Sequence, residues 1–143
     1  MKISFVIPGK PTGKGRPKFF RRGNFVGTYT PEKTASYENL VKVIFMEAAA
    51  KSSEWKKADR ETPIRATISC WTDVPASWSK KKKMAAIWNT KKPDSDNVAK
   101  IILDALNGLA FEDDSQVVAL DVQKRYGSGQ NTTVRLDTEL NYE

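Results

Sequence analysis

The sequence predicts an α/β fold, a single compact domain in which helices pack a mixed β-sheet, and three observations carry that reading. Short runs of alternating apolar and polar residues recur near 2–8, 62–72, 116–126 and 132–138, the period of half-buried strands. Two longer stretches instead place apolar residues at i, i+3, i+4 spacing, the period of helices with one buried face. These segments follow one another as strand, helix, strand, helix, helix, strand, strand, an order that suits helices laid on a sheet. At 143 residues and 39% hydrophobic, one domain spanning 1–143 with a real core is expected.

Each element has a local cause. Ile3, Phe5 and Ile7 share one face of the first strand, and Pro8 closes it. Residues 9–30 hold Lys10, Lys14, Arg16, Lys18, Arg21 and Arg22, with five glycines and no acid, and read as a mobile basic loop or loose hairpin. Thr30-Pro31-Glu32 has the form of a helix start: threonine as N-cap, proline at the first helical position, an acid near the positive end of the dipole. Tyr37, Leu40, Val41, Ile44, Phe45 and Ala48 continue the stripe to about residue 50. Ile64, Ala66, Ile68 and Cys70 alternate with Arg65, Thr67 and Ser69 in a strand over 62–72. Ser79 would cap a short, very basic helix running to Trp88, and Asn89–Pro93 would link it onward. Val98, Ile101, Ile102, Ala105, Leu106 and Leu109 form the cleanest helical stripe, from about Asn97 to a stop at Gly108. Val118, Leu120 and Val122 alternate in the next strand, and residues 127–131 are expected to turn it into the last one as a hairpin. Trp55, Trp71, Trp78, Trp88 and Cys70 are expected in the core or an interface.

Composition excludes much chemistry. There is no histidine and one cysteine, so histidine bases, serine–histidine triads, internal disulfides and four-thiolate zinc sites are ruled out. No segment suits a membrane span or a cleaved signal, and a cytoplasmic chain is the expectation. The formal net charge of +7 favours a polyanionic partner such as DNA or RNA.

Against that basic background, carboxylates crowd into the stretch Lys92-Pro-Asp94-Ser-Asp96-Asn-Val-Ala-Lys100 … Phe111-Glu-Asp113-Asp114. Neighbouring carboxylates repel, and such a cluster suits a hard divalent cation. Asp94 and Asp96 precede a helix, Lys100 and Asp104 lie one turn apart on its polar line, and Asp113 and Asp114 follow it, where the chain is expected to return them toward the same edge. Taken singly, these residues are also what helix caps, solvated turns and surface ion pairs look like; taken together they point to a metal site.

The pattern Lys92-Pro-Asp94-x-Asp96-Asn97-x-x-Lys100 … Asp104-Ala-Leu-Asn … Asp113-Asp114-x-Gln116-Val117 resembles the signature of the RusA family of Holliday-junction endonucleases, mostly phage- or prophage-borne. The opening strand ending Ile-Pro-Gly-Lys-Pro, the Gly-Lys-Gly-Arg-Pro segment and the Tyr-Thr-Pro helix start are similar to the family more loosely. The resemblance implies a RusA-like fold, with metal ligands at Asp94, Asp96 and Asp114 and an essential lysine at Lys100. These four would be the catalytic residues, with Asp104 and Asp113 in support. It also implies Mg²⁺ dependence (with Mn²⁺ as a substitute), a homodimer, no membrane partner, and the cytoplasm of a bacterial host.

On this reading the chain resolves four-way DNA junctions by paired, symmetric phosphodiester cleavage in recombination and repair. Lys14, Arg16, Lys18, Arg21, Arg22 and the run Lys80, Lys81, Lys82, Lys83 would track phosphates. Phe19, Phe20 or Phe25 would either stack on bases near an opened junction or pack in a core or dimer interface. Two other readings stay open at this point. One is a non-catalytic, structure-selective nucleic-acid-binding protein; the other is a metal-dependent phosphohydrolase acting on nucleotides.

Overall fold

The computed structural model describes residues 1–140 and forms one α/β domain. In chain order the elements are β1 (Lys2–Pro8), β2 (Lys18–Arg22), β3 (Phe25–Tyr29), α1 (Glu32–Lys51), β4 (Ile64–Thr72), α2 (Lys80–Ala85), α3 (Ser95–Leu106), a 3-10 turn at Asp114–Gln116, β5 (Val117–Tyr126) and β6 (Asn131–Asp137). The main sheet has the order β1-β6-β4-β5. β6 runs antiparallel to β1 and β4, whereas β4 and β5 are parallel, so the sheet is mixed as expected.

The core lies between one face of this sheet and the helices α1 and α3. Ile3, Phe5 and Ile7 from β1, Ile64, Ala66, Ile68 and Cys70 from β4, and Val134 and Leu136 from β6 meet Val41 and Phe45 of α1 and Val98, Ile101, Ile102, Ala105 and Leu106 of α3. Phe111, just beyond α3, is fully buried. Each large apolar side chain among these contributes about 1.5–3 kcal/mol of burial energy, which fixes α3 to the sheet along its whole apolar stripe.

Four expectations are corrected. β5 and β6 are not a hairpin, because β4 lies between them. The connection 127–130 instead bridges about 9–10 Å over the end of β4. It is held there by Gly127 N–H donating to Thr72 O (3.0 Å) and Gly129 N–H donating to Asp73 Oδ1 (2.7 Å). Within β5 the register shifts, Ile64 pairing with Val117 and Arg65 with Ala119. Val118 is therefore the extra residue of a bulge and falls out of line with Leu120 and Val122. Helix α1 begins at Glu32 with Pro31 in the N-cap place and no side-chain cap, so Thr30 stands outside the helix. The basic helix stops at Ala85 rather than Trp88. Ile87–Asn89 lie along the edge of β5 instead, Tyr126 N–H donating to Ile87 O (2.8 Å) and Asn89 N–H to Lys124 O (2.9 Å). Ser79 does cap that helix, its side chain accepting from Lys82 N–H at 3.2 Å.

The basic segment divides into two parts. Strands β2 and β3 form a separate two-stranded ribbon that packs against no other element to any extent. Phe19, Phe25, Val26 and Tyr29 are exposed on it. Residues 10–15, by contrast, are fastened to the body. Of the four tryptophans only Trp55 is buried. Trp71 and Trp88 sandwich the guanidinium of Arg125, at 5.2 and 5.0 Å, and Trp78 packs edge-on against Tyr126.

Candidate active site

Helix α3 organises the site. It begins at Ser95 rather than Asn97, which puts Asp94 in the N-cap place and Asp96 in the first turn. Asp94 makes no side-chain capping bond, so its carboxylate is left over for another partner. The segment before the helix is tied down by Lys124, whose Nζ donates to Lys91 O (2.7 Å) and Pro93 O (2.8 Å). Lys124 alternates with Val122 and Tyr126 on the helix-packed side of β5. A lysine in that inward register is a signal present in the sequence, and the motif-based expectation did not use it.

Asp96, Lys100 and Asp104 follow at i, i+4, i+8 and form one line on the helix, opposite the buried stripe. Lys100 and Asp104 make the expected ion pair, Nζ to Oδ2 at 3.7 Å, with the Lys100 side chain 62% exposed. Beside Asp94 a cleft of about 430 Å³ opens between the start of α3 and the start of α1, and Lys10, Lys33 and Lys92 line it with Thr34, Asp94 and Asn97.

Asp113 and Asp114 stand at the other end. Asp113 caps the 3-10 turn: its Oδ2 accepts from the Ser115 hydroxyl and from Ser115 N–H (3.2 Å). The bonds from the Ser115 side chain and backbone hold its carboxyl below the usual range. Gln116 completes the cap. Its Oε1 accepts from the Glu112 and Asp113 N–H groups, both at 2.9 Å, while its amide donates to Asp59 O and, at 3.1 Å, to Thr62 O. Asp114 makes no such side-chain bond among the described residues.

The convergence of Asp94, Asp96 and Asp114 within one chain is not observed. Among the described residues no three acidic, histidine or cysteine side chains stand where they could share a metal ion. The cause is topological. Asp114 leads into Val117, which pairs with Ile64 at the start of β4, while Lys124, next to Asp94, pairs with Cys70 near its end. Seven residues of β5, about 23 Å, and the twelve residues of α3, about 18 Å, lie between the two acidic sites.

The basic residues also divide. Arg16, Lys18, Arg21, Arg22 and Lys80–Lys83 are exposed, with Lys82 lying 4.1 Å over the Trp78 ring. Lys14, expected to face phosphates, has other partners. Its ammonium hydrogen-bonds Glu38 and lies 3.2 Å from Asp104 Oδ2. Burial pushes its pKa down, but the bonds to Glu38 and Asp104 and their negative charge more than reverse this and leave it raised. Glu38, on the polar side of α1, carried no sequence signal for this role.

A family model described as "Endodeoxyribonuclease RusA" matches residues 8–137. The chain is also 33% identical over 140 residues to the uncharacterized protein YqaN of Bacillus subtilis (strain 168), covering 94% of each. With a match that takes in both acidic sites, the basic ribbon and the sheet strands β4, β5 and β6, the chain belongs to the RusA family of endodeoxyribonucleases, nucleases of branched DNA junctions.

Proposed function

We propose that this chain is a divalent-metal-dependent endonuclease that resolves four-way DNA junctions by paired, symmetric nicks, working as a homodimer. The observation that carries the reading is the left-over pair Asp94 and Asp96, exposed at the start of α3. Lys100 stands one turn further along the same face, and a lysine-lined cleft lies alongside. Two carboxylates without partners among the described residues are a donor set that fits Mg²⁺, which keeps several waters and takes one or two protein carboxylates. Mn²⁺ suits the same oxygens. A bound ion of this kind supplies Lewis-acid charge to the phosphate and acidifies a water.

The chain's own residues supply the rest. Lys100, solvent-facing, neutralises charge gathering on the phosphoryl oxygens. Arg16, Lys18, Arg21 and Arg22 and the Lys80–Lys83 run follow the DNA backbone. Exposed Phe19 and Phe25 on the ribbon are available to stack on bases where the junction opens. Asp114 serves the site of a second subunit, since in its own chain it stands a helix length away from Asp94. Exposed Val118 and Leu120, close by in sequence on β5, provide apolar area for that subunit. A two-fold dimer also matches the symmetry of paired nicks.

The test combines substrate and subunit mixing. Four-way junction, fork and linear duplex are incubated with Mg²⁺ or with EDTA, and paired nicks in the junction with Mg²⁺ alone are expected. Asp96→Asn and Asp114→Asn should each abolish cutting and keep junction binding. An equal mixture of the two should regain single nicks, because half the dimers then hold one intact site. Full activity of Asp96→Asn would overturn the assignment; an active Asp114→Asn would put Asp114 outside the chemistry, and a dead mixture of two folded, inactive variants would place it in its own chain's site. The competing reading, a junction-binding protein without catalysis, draws on the lack of a three-carboxylate cluster among the described residues; it requires that no strand is cut under any condition.

A further inference from the structure

The turn Gly13-Lys14-Gly15 is wedged between the starts of two helices. Lys14 N–H donates to Asn97 O (3.0 Å) and Gly15 N–H to Thr34 Oγ1 (3.0 Å). Neither glycine has room for a side chain: a Cβ on Gly13 would meet Pro93 Cβ at 3.0 Å, and one on Gly15 would meet Thr34 Oγ1 at 2.6 Å. The backbone therefore delivers the Lys14 side chain into the seam between α1 and α3, where it bridges Glu38 of one helix to Asp104 of the other.

Asp104 is shared. Lys14 lies 3.2 Å and Lys100 3.7 Å from the same oxygen, Oδ2. Two ammoniums balance two carboxylates in this cluster, yet they are not equivalent. The side chains of Lys14, Glu38 and Asp104 are 21%, 18% and 26% exposed, that of Lys100 62%. The more enclosed Lys14 carries most of the neutralising work, and Lys100 keeps its ammonium at the solvent-facing end of the row, one turn from Asp96.

We infer that Lys14 is a positioning residue for strand cleavage: by satisfying Glu38 and Asp104 it leaves Lys100 free to meet the phosphate. The inference rests on the proposed role of Lys100. Without Lys14, two half-enclosed carboxylates would repel each other and draw Lys100 inward as their remaining counter-ion, since a charge left unpaired in such a place is costly. The reacting phosphate would then lose its cation while the DNA-tracking surface stayed intact.

The experiment compares Lys14→Met, Lys14→Arg and the double variant Lys14→Met/Glu38→Gln with wild type. It measures single-turnover junction cleavage in Mg²⁺, junction affinity in EDTA and thermal melting. Lys14→Met should cut roughly 10- to 100-fold more slowly, the range for partners that orient a reacting group, with affinity changed by less than about twofold and an unchanged salt slope. Lys14→Arg should recover most of the rate. The double variant should recover part of it, since one carboxylate rather than two then draws on Lys100. The inference fails if Lys14→Met instead weakens binding and lowers the salt slope, as a phosphate contact would, or if a folded double variant stays as slow as the single one. Should Lys14→Met not fold, the other two variants still decide, because Lys14→Arg must cut at near wild-type rate and the double variant measurably more slowly. Lys100→Met separates this inference from the chemistry on which it rests: if it cuts normally the proposed chemistry is wrong, whereas if it is inactive and Lys14→Met cuts normally only the role of Lys14 falls.

Discussion

The two ends of α3 both carry aspartates, and the surrounding structure treats them in opposite ways. At the C-terminal end Asp113 is spent on the backbone, capping the 3-10 turn with Gln116, and half-buried Asp114 stands beside it. At the N-terminal end Asp94 occupies the capping place without capping, and Asp96 follows in the open first turn. A carboxylate bonded to local N–H groups has its charge answered already. One held in a capping position without a bond keeps its charge available for a ligand. Two Asp-rich stretches of similar appearance thus divide into one uncommitted pair, Asp94 and Asp96, and one pair in which Asp113 is bound to the turn.

The sharpest way to break that comparison is to remove charge without changing shape. Asp96→Asn is expected to reduce junction cleavage by at least about two to three orders of magnitude, the scale for losing a group that meets developing charge, while binding in EDTA is kept. Asp113→Asn should leave cleavage within a few-fold of wild type, since an asparagine oxygen can still cap. If the two variants were equally inactive in the same assay, the distinction between the ends would be lost.

The body that separates the two ends is tested next. Phe111 is fully buried just after α3, and Phe111→Ala should cost about 3–5 kcal/mol in a denaturant titration. Gln116→Ala removes an amide that serves four backbone groups of the 59–62 and 112–113 segments. A destabilisation of about 1–3 kcal/mol is expected, together with slower cleavage as Asp114 loses its support. A Gln116→Ala protein of full stability would mean that the turn is held by its backbone alone.

How legible this was in the sequence depends on the range of the interaction. The apolar stripe of α3, the stop at Gly108 (φ +78°), the alternation in β1 and β4 and the Lys100–Asp104 pair are set by neighbours within a few residues, and periodicity reveals them. The motif residues themselves were visible because their types and spacing are unusual. What could not be read was pairing at a distance. A four-residue connection rich in glycine looks the same whether it closes a hairpin or steps over a strand, and only the insertion of β4 decides. Asp114 does not meet Asp94 within one chain for the same reason, since nothing local says that β5 carries the chain back along the full length of the helix. Lys14 stood among free cations in sequence, and only the seam between α1 and α3 singles it out.

The ribbon of β2 and β3 extends the comparison to the cations. Lys14 is bound to the body, whereas Arg21 and Arg22 sit on an outlying ribbon, Arg21 Nε donating to Gly23 O (3.0 Å) and Arg22 lying 6.0 Å from the Phe20 ring centre. Replacing both by glutamine should leave the melting temperature unchanged, weaken junction binding and lower the slope of log affinity against log salt by about 2, near one unit for each phosphate that is no longer neutralised. An unchanged slope would remove the ribbon from the DNA surface.

The smallest effect belongs to Cys70, which lies under the Asp94 end, opposite Lys124 in the sheet. Burial pushes its thiol up to about 11 from an ordinary 9.0, against the opposing influence of the Lys124 charge and the Thr132 hydroxyl. The folded protein therefore holds the thiol proton more tightly than the unfolded chain does. That contribution to stability is complete below pH 9 and is lost as the pH rises through about 11. At about pH 8, below both values, iodoacetamide should label Cys70 only as fast as the sheet opens, and fully once the protein is unfolded. Junction DNA bound at the Asp94 end should slow the labelling further, through stabilisation of the folded form. Rapid labelling of the native protein would show that this end of the sheet is loosely closed, and that Asp94 and Asp96 sit on a less rigid support than the packing of α3 provides.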